Sequence, residues 1–202
     1  MISDVKTLPR RKSMSTLNGL PAHILLVHAI VVLLPLSALL LVLCVAWGKA
    51  RRALAGPNAL LAAFALILVP ITTDAGEWLE RRVTRSSLLQ AHTELGDTAL
   101  YVAIPVAVLA LVVWWRQRES TAAARPAASD ADDSPKVAPA AKSVGRRAFL
   151  APASRPVTTV IAVLAVLAAG GACYQVYRIG DSGARATWQD QFSTEPAPPG
   201  GR

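Results

Sequence analysis

Four long blocks of apolar residues, separated by polar and basic connections, dominate the pattern along this chain. They cover residues 22–47, 54–73, 98–115 and 157–177. An apolar stretch of about 18 residues or more is long enough to cross the hydrocarbon core of a bilayer as a helix. Such blocks are too long for strands. The pattern therefore predicts an all-α integral membrane protein built as a four-helix bundle.

The first block follows the basic residues 10–12, an order that also occurs in cleaved secretory signals. The apolar core of such a signal is about 7–15 residues long, and this block is far longer. It also carries two histidines and Pro35. Proline is tolerated in membrane helices, where neighbouring groups satisfy the carbonyl that it leaves free. We therefore interpret the block as a membrane span that is retained.

The connections predict how the spans are arranged. The first, 48–52, is so short that spans one and two must be antiparallel neighbours. The second, 74–97, has apolar residues at helical spacing, which predicts a short amphipathic helix at the interface within 76–92. The third, 116–156, has the Ala-, Pro-, Ser- and Asp-rich composition of a disordered linker. The domain organisation is then an N-terminal tail 1–20, three spans within 21–115, this linker, the fourth span and a C-terminal tail 178–202.

The composition and charge pattern indicate contact with a lipid bilayer and argue against nucleic-acid binding. The 202 residues are 53% hydrophobic and carry a formal net charge of +8. The basic residues flank the apolar blocks and are not interleaved with aromatic residues. This arrangement is typical of contact with a lipid bilayer and not of nucleic-acid binding.

The numbers of basic residues on the two predicted sides of the membrane are nearly equal, so they favour neither orientation strongly. Lys and Arg number eleven on the side of connections one and three, and ten on the side of the tails and connection two. Initiation at Met14 instead of Met1 would remove four of those ten. The positive-inside rule then favours a bacterial plasma membrane protein with both termini outside.

Polar and titratable residues gather at one end of the predicted bundle. Alternating spans place the start of spans one and three and the end of spans two and four at the same face. Ionisable groups at the end of a membrane span are costly, so they indicate a functional site. The candidates are His23, His28, Asp74, His92, Glu94, Asp97, Arg178 and Asp181.

The three histidines are the strongest candidates. His23 and His28 are five residues apart on one helix, which is about 140° of rotation and about 7.5 Å of rise. They cannot both point squarely at one small ion. His23 lies at the interface, where a histidine is tolerated, whereas His28 lies deeper and needs partners in hydrocarbon. We therefore expect His28 and His92 to be the principal pair, with His23 beside them.

Three kinds of chemistry fit such residues. Neutral imidazole is a common ligand of haem iron and transition metals, so His28 and His92 could hold a haem b in an electron-transfer or redox-accessory protein that works with a redox or membrane partner. Alternatively, His28, His92, Asp74 and Glu94 offer nitrogen and oxygen ligands to zinc, iron or copper in a non-enzymatic module that binds a metal or a partner protein. A small transporter is the third possibility. No residue pattern identifies an enzymatic reaction.

Several segments together resemble a known family. They are GLPAH with a second histidine at 19–28, ITTDAGEW at 71–78, AHTELGD at 91–97 and YRIGDSGARATW at 177–188. Their order resembles a bacterial family of four-helix membrane proteins of unknown function, over residues 18–190. The resemblance implies a histidine placement similar to that of small membrane cytochromes.

The segment RIGDSGA at 178–184 is expected either to fold back as a tight turn, bringing Arg178 and Asp181 to the polar cluster, or to end the helix at Gly180.

Overall fold

The protein is a bundle of long apolar helices, seen here in a computed structural model that describes residues 16–17, 19–124 and 154–189. Two short strands, β1 (Thr16–Leu17) and β2 (Leu20–Pro21), pair antiparallel at the start, around Gly19 with its φ of 81°. Five helices follow: α1 (Ala22–Ala46), α2 (Gly48–Glu80), α3 (Ser87–Asp97), α4 (Ala99–Ala124) and α5 (Arg155–Trp188).

The four long helices surround one core. Helix α1 packs against α2 and α5, while α4 packs against the same two helices from the other side. Only Trp47 separates α1 from α2, so these two helices form an antiparallel hairpin. The short helix α3 packs mainly against α5, at the end where α1 begins. Four segments of the described chain are long and apolar enough to cross a bilayer: Ala22–Ala46, Gly48–Glu80, Ser87–Ala122 and Arg155–Trp188. The predicted all-α membrane bundle is confirmed.

Small residues fill the core and large apolar residues cover the outside. Ala38, Ala65 and Ala165 are completely buried, whereas Leu60 on α2 is 74% exposed and Leu167 on α5 is 65% exposed. Small side chains let helix backbones approach closely, which is how membrane helices associate when lipid offers no hydrophobic driving force. The exposed leucines, valines and isoleucines are therefore the surface that faces lipid.

The connection between spans two and three differs from its prediction. Residues 76–80 were expected in an interfacial helix over 76–92, yet they complete α2, which runs without a break to Glu80. Polar residues do not end a helix by themselves, and here Glu77 pairs with Arg81 one turn on, at 3.6 Å. The interfacial helix is α3, which begins at Ser87. The Ser86 hydroxyl caps it by accepting from Leu89 N at 3.1 Å.

Helices α4 and α5 also extend past the predicted spans. Residues 116–124, expected in the linker, continue α4, and residues 178–188, expected in the C-terminal tail, continue α5. Both expectations for RIGDSGA, a tight turn and a stop at Gly180, are wrong. Glycine permits a helix to end but does not force it to, and the Asp181–Arg185 pair at 3.0 Å supports the extra turns. Most of the linker and of both tails lies outside the described residues.

Candidate functional site

His23, at the start of α1, is held by the end of α2. Its Nδ1 lies 2.9 Å from the backbone oxygen of Thr72. Because a carbonyl oxygen can only accept, His23 donates from Nδ1, and its neutral form keeps a free lone pair on Nε2. Gly76 makes this approach possible. A Cβ there would lie 2.9 Å from both Cε1 and Nδ1 of the ring, too close for any side chain.

His92, on α3, is held by α5 in the same manner. Its Nδ1 lies 3.0 Å from the Ser182 hydroxyl, which itself donates to the backbone oxygen of Ile179 at 2.9 Å. The hydroxyl hydrogen is therefore used, and the oxygen accepts from His92 Nδ1. Neutral His92 thus also keeps its lone pair on Nε2. The ring of His92 packs directly against Gly183. A Cβ at that position would lie 3.0 Å from Cε1 of His92.

The two imidazoles meet across a cavity at this end of the bundle. Their ring centroids are 6.5 Å apart and their planes are inclined by 76°. The cavity has a volume of about 560 Å³, including the space at its mouth. Besides the histidines it is lined mostly by apolar side chains: Val27, Ile30, Val31, Val69, Thr72, Thr73, Gly96, Ala99, Val102, Val176 and Ile179. Helices α1, α2, α3 and α5 thus position two imidazoles at one apolar cavity, which α4 also lines.

His28 is placed apart from this pair. It is exposed on the lipid-facing side of α1, and its Nδ1 donates to the oxygen of Ile24 in its own helix at 2.6 Å. It does not line the cavity. The expected pairing of His28 with His92 is therefore replaced by His23 with His92. The cause is the rotation of about 140° between positions 23 and 28.

The acidic and basic candidates lie at the same end but outside the cavity. Asp74, Glu94 and Asp97 are exposed, and Glu94 accepts from Gln90 Nε2 at 3.0 Å. Arg178 lies over the ring of Tyr174, 5.8 Å from its centroid. Asp181 pairs with Arg185 on the outside of α5. Across the described residues, no three His, Cys, Asp or Glu side chains are close enough together to hold a metal ion. The tetrad His28, His92, Asp74 and Glu94 is therefore not assembled.

A protein-family model matches the segment of the chain that forms most of this cavity. A model described as "Predicted membrane protein (DUF2231)" matches residues 19–131, more than half of the chain. The chain belongs to the DUF2231 family. The DUF2231 match covers α1 to α4 and therefore both histidines, whereas α5, with Ser182 and Gly183, lies beyond it. No curated protein and no solved structure matches the chain.

Sequence reasoning missed the groups that hold the histidines. Ser182, Gly76 and Gly183 were noticed only as parts of motifs, and the acceptor at Thr72 is a backbone atom without a signature of its own. One signal was available for His23. It is spaced at intervals of seven from Ile30, Ser37 and Cys44, and the last two are buried. A repeat of seven marks one face of a helix, and His28 is not on it.

Proposed function

We propose that this membrane protein binds one haem b between His23 and His92 and serves as an electron-transfer or redox-accessory protein. The observation that carries the proposal is the pair of imidazoles across the cavity. Both use Nδ1 for a hydrogen bond and both keep Nε2 for a ligand. Histidines that bind metals almost always donate their other ring nitrogen to a neighbouring acceptor, which fixes the ring and its tautomer.

The separation of the rings supports a shared metal. Two metal–nitrogen bonds of about 2 Å each, together with the ring radii, place two imidazole centroids about 6 Å apart across one metal ion. The observed separation is 6.5 Å. The cavity between the rings is lined mostly by apolar side chains. Its apolar walls suit a macrocycle, which buries far more apolar than polar surface.

The number of ligands favours haem over a bare ion. A zinc ion takes three or four protein ligands, and no cluster of three suitable side chains occurs within the described part of the chain. Haem iron would take two further ligands from the protein, and His23 and His92 are the two side chains that would hold it. When bound, haem supplies a one-electron carrier. The residues of the chain fix its two ligands, exclude water through the apolar wall and confine it to one end of the bundle.

The proposal includes a location for the carrier. We retain the orientation with both termini outside, in a bacterial plasma membrane, which places His23 and His92 near the outer surface. A redox partner would approach on that side, where α3 covers the cavity. The exposed carboxylates Asp74, Glu94 and Asp97 lie at this surface together with exposed arginines, so a partner would meet charges of both signs.

Optical spectroscopy tests the proposal. We expect the protein, expressed with haem biosynthesis intact or supplemented with haemin after purification in mild detergent, to show a sharp Soret band and about one haem per chain, as two-histidine ligation requires. Reduction by dithionite is expected to shift the band. Elemental analysis of the same sample supplies the control for a bare metal. Haem-free protein that takes up no haem, with or without another metal bound, overturns the proposal.

A further inference from the structure

A second cavity lies at the opposite end of the bundle, where α1 and α4 end and α2 and α5 begin. Its volume is about 450 Å³, including the open space at its mouth. Its rim is polar, with two guanidinium groups and three further hydrogen-bonding side chains: Arg51, Arg116, Gln117, Ser120 and Thr158. None of these residues belongs to the histidine cavity, so this second cavity is independent of haem binding.

Arg116 is the fixed element of this rim. It is only 7% exposed. Its Nη2 donates to the Thr158 hydroxyl at 2.8 Å, and that hydroxyl donates in turn to the oxygen of Ser154 at 2.8 Å. The guanidinium is thereby held between α4 and α5. A guanidinium has five N–H donors in a planar fork, a geometry that matches phosphate oxygens.

The described residues around this cavity carry a strongly positive net charge. In the described segments 44–56, 110–124 and 154–165, Glu119 is the single acid, against six cations: Lys49, Arg51, Arg52, Arg116, Arg118 and Arg155. Two of those cations, Arg51 and Arg116, line one small cavity. Arg51 repels Arg116 and Glu119 attracts it, so an anion between the two guanidinium groups would add to that attraction.

The floor of the cavity is apolar, formed by Val45, Val113 and Ile161. A ligand that fits must therefore be anionic at one end and apolar at the other. The adjoining surface of α5 faces lipid, with Val160 58% exposed and Val163 54% exposed. Basic pockets between membrane helices at the bilayer surface are known to take phospholipid headgroups.

We propose that this cavity binds the phosphate of an anionic phospholipid. Arg51 and Arg116 hold the phosphate oxygens, Ser120 and Gln117 complete the rim, and the glycerol and first acyl carbons cover the apolar floor. The lipid then joins Arg51 on the α1–α2 hairpin to the α4–α5 pair, which the bond between Arg116 and Thr158 already holds together.

Native mass spectrometry with defined lipids tests this site. Detergent-purified protein is mixed with phosphatidylglycerol or phosphatidylcholine, and the fraction that keeps one lipid is measured. We expect phosphatidylglycerol to be kept preferentially, and Arg51→Gln and Arg116→Gln each to lower its retention by about 5-fold. Arg52→Gln and Arg118→Gln are matched controls, since both side chains are exposed neighbours that do not line the cavity.

Two further arms keep the result interpretable. Arg51 is only half-buried, so Arg51→Gln decides the question even if Arg116→Gln fails to fold, which circular dichroism and gel filtration reveal. Inorganic phosphate at millimolar concentration is added as a competitor. Release of the lipid by free phosphate assigns the cavity to a soluble anion and overturns the lipid proposal. Equal losses in Arg51→Gln and Arg52→Gln reduce the effect to general surface charge and overturn it as well.

Discussion

We expect alanine at either His23 or His92 to abolish the proposed haem binding, and alanine at His28 to leave it intact. Each of the first two substitutions removes one of the two imidazoles that would hold the haem, and we expect haem affinity to fall by at least about 100-fold, since even a supporting residue of a metal site is worth about 10–100-fold. His28 is exposed and bonded to its own helix. It is therefore a matched control on the same helix. Haem titration followed by Soret absorbance measures the three affinities.

Chemical rescue distinguishes a lost ligand from a lost fold. Free imidazole added to His92→Ala is expected to restore part of the Soret band, because it can occupy the vacated axial position. Thermal unfolding in detergent shows whether each variant is folded before haem is added. Loss of haem in His28→Ala as severe as in His92→Ala would reinstate the pairing of His28 with His92 and contradict the account.

Alanine at Gly76 or Gly183 is expected to weaken haem binding, and alanine at Gly180 is not. A Cβ at either of the first two positions meets an imidazole ring at 2.9 or 3.0 Å, whereas a Cβ at Gly180 meets nothing within 4 Å. The ring must move by several tenths of an ångström, which disturbs its hydrogen bond to the acceptor that orients it. Loss of such orientation costs about 10-fold or more in metal affinity.

The glycine series carries its own internal control for stability. Alanine is favoured over glycine inside a helix by about 0.5–1 kcal/mol, so all three substitutions should help the helix itself. A drop in haem affinity for Gly76→Ala and Gly183→Ala therefore cannot be attributed to a weakened helix. Haem titration of the three variants beside the unsubstituted protein measures it. Equal affinities in all three would mean that the rings are not seated on these glycines.

The number of spans and the end at which the histidines gather were open to prediction from sequence. Long apolar blocks have one structural solution in a bilayer, since all backbone groups must bond internally. The alternation of the spans then puts the start of the first and the end of the second at one face. The contact between His23 and Thr72 and that between His92 and Ser182 join residues 49 and 90 positions apart at that end.

The face of α1 that carries the cavity-lining His23 was not open to prediction from the apolar pattern alone. In a soluble protein, polar residues mark the outer face of a helix. Here lipid and core are both apolar, so Leu39, 65% exposed, and Leu41, fully buried, are the same residue type. Depth along the helix, the criterion that favoured His28, says nothing about direction. The small buried residues Ser37, Ala38 and Cys44 mark the inner face instead.

The ends of the helices were mispredicted for a related reason. Polarity indicates where a segment leaves the hydrocarbon and does not indicate where the helix stops. Helix α2 continues for seven residues past the predicted span, and α5 for eleven. The additional turns of α5 carry Ser182 and Gly183 to His92. The residues that position His92 therefore lie in a segment that was expected to be a tail.

The most direct measurement of the central claim is the electron paramagnetic resonance spectrum of the oxidised, haem-loaded protein. Two imidazoles on one iron give a low-spin ferric signal, and that is the signal we expect for the unsubstituted chain and for His28→Ala. His23→Ala and His92→Ala, with any haem they retain, should give a high-spin signal. A high-spin signal from the unsubstituted protein, or a low-spin signal that survives loss of His23, would contradict ligation by His23 and His92.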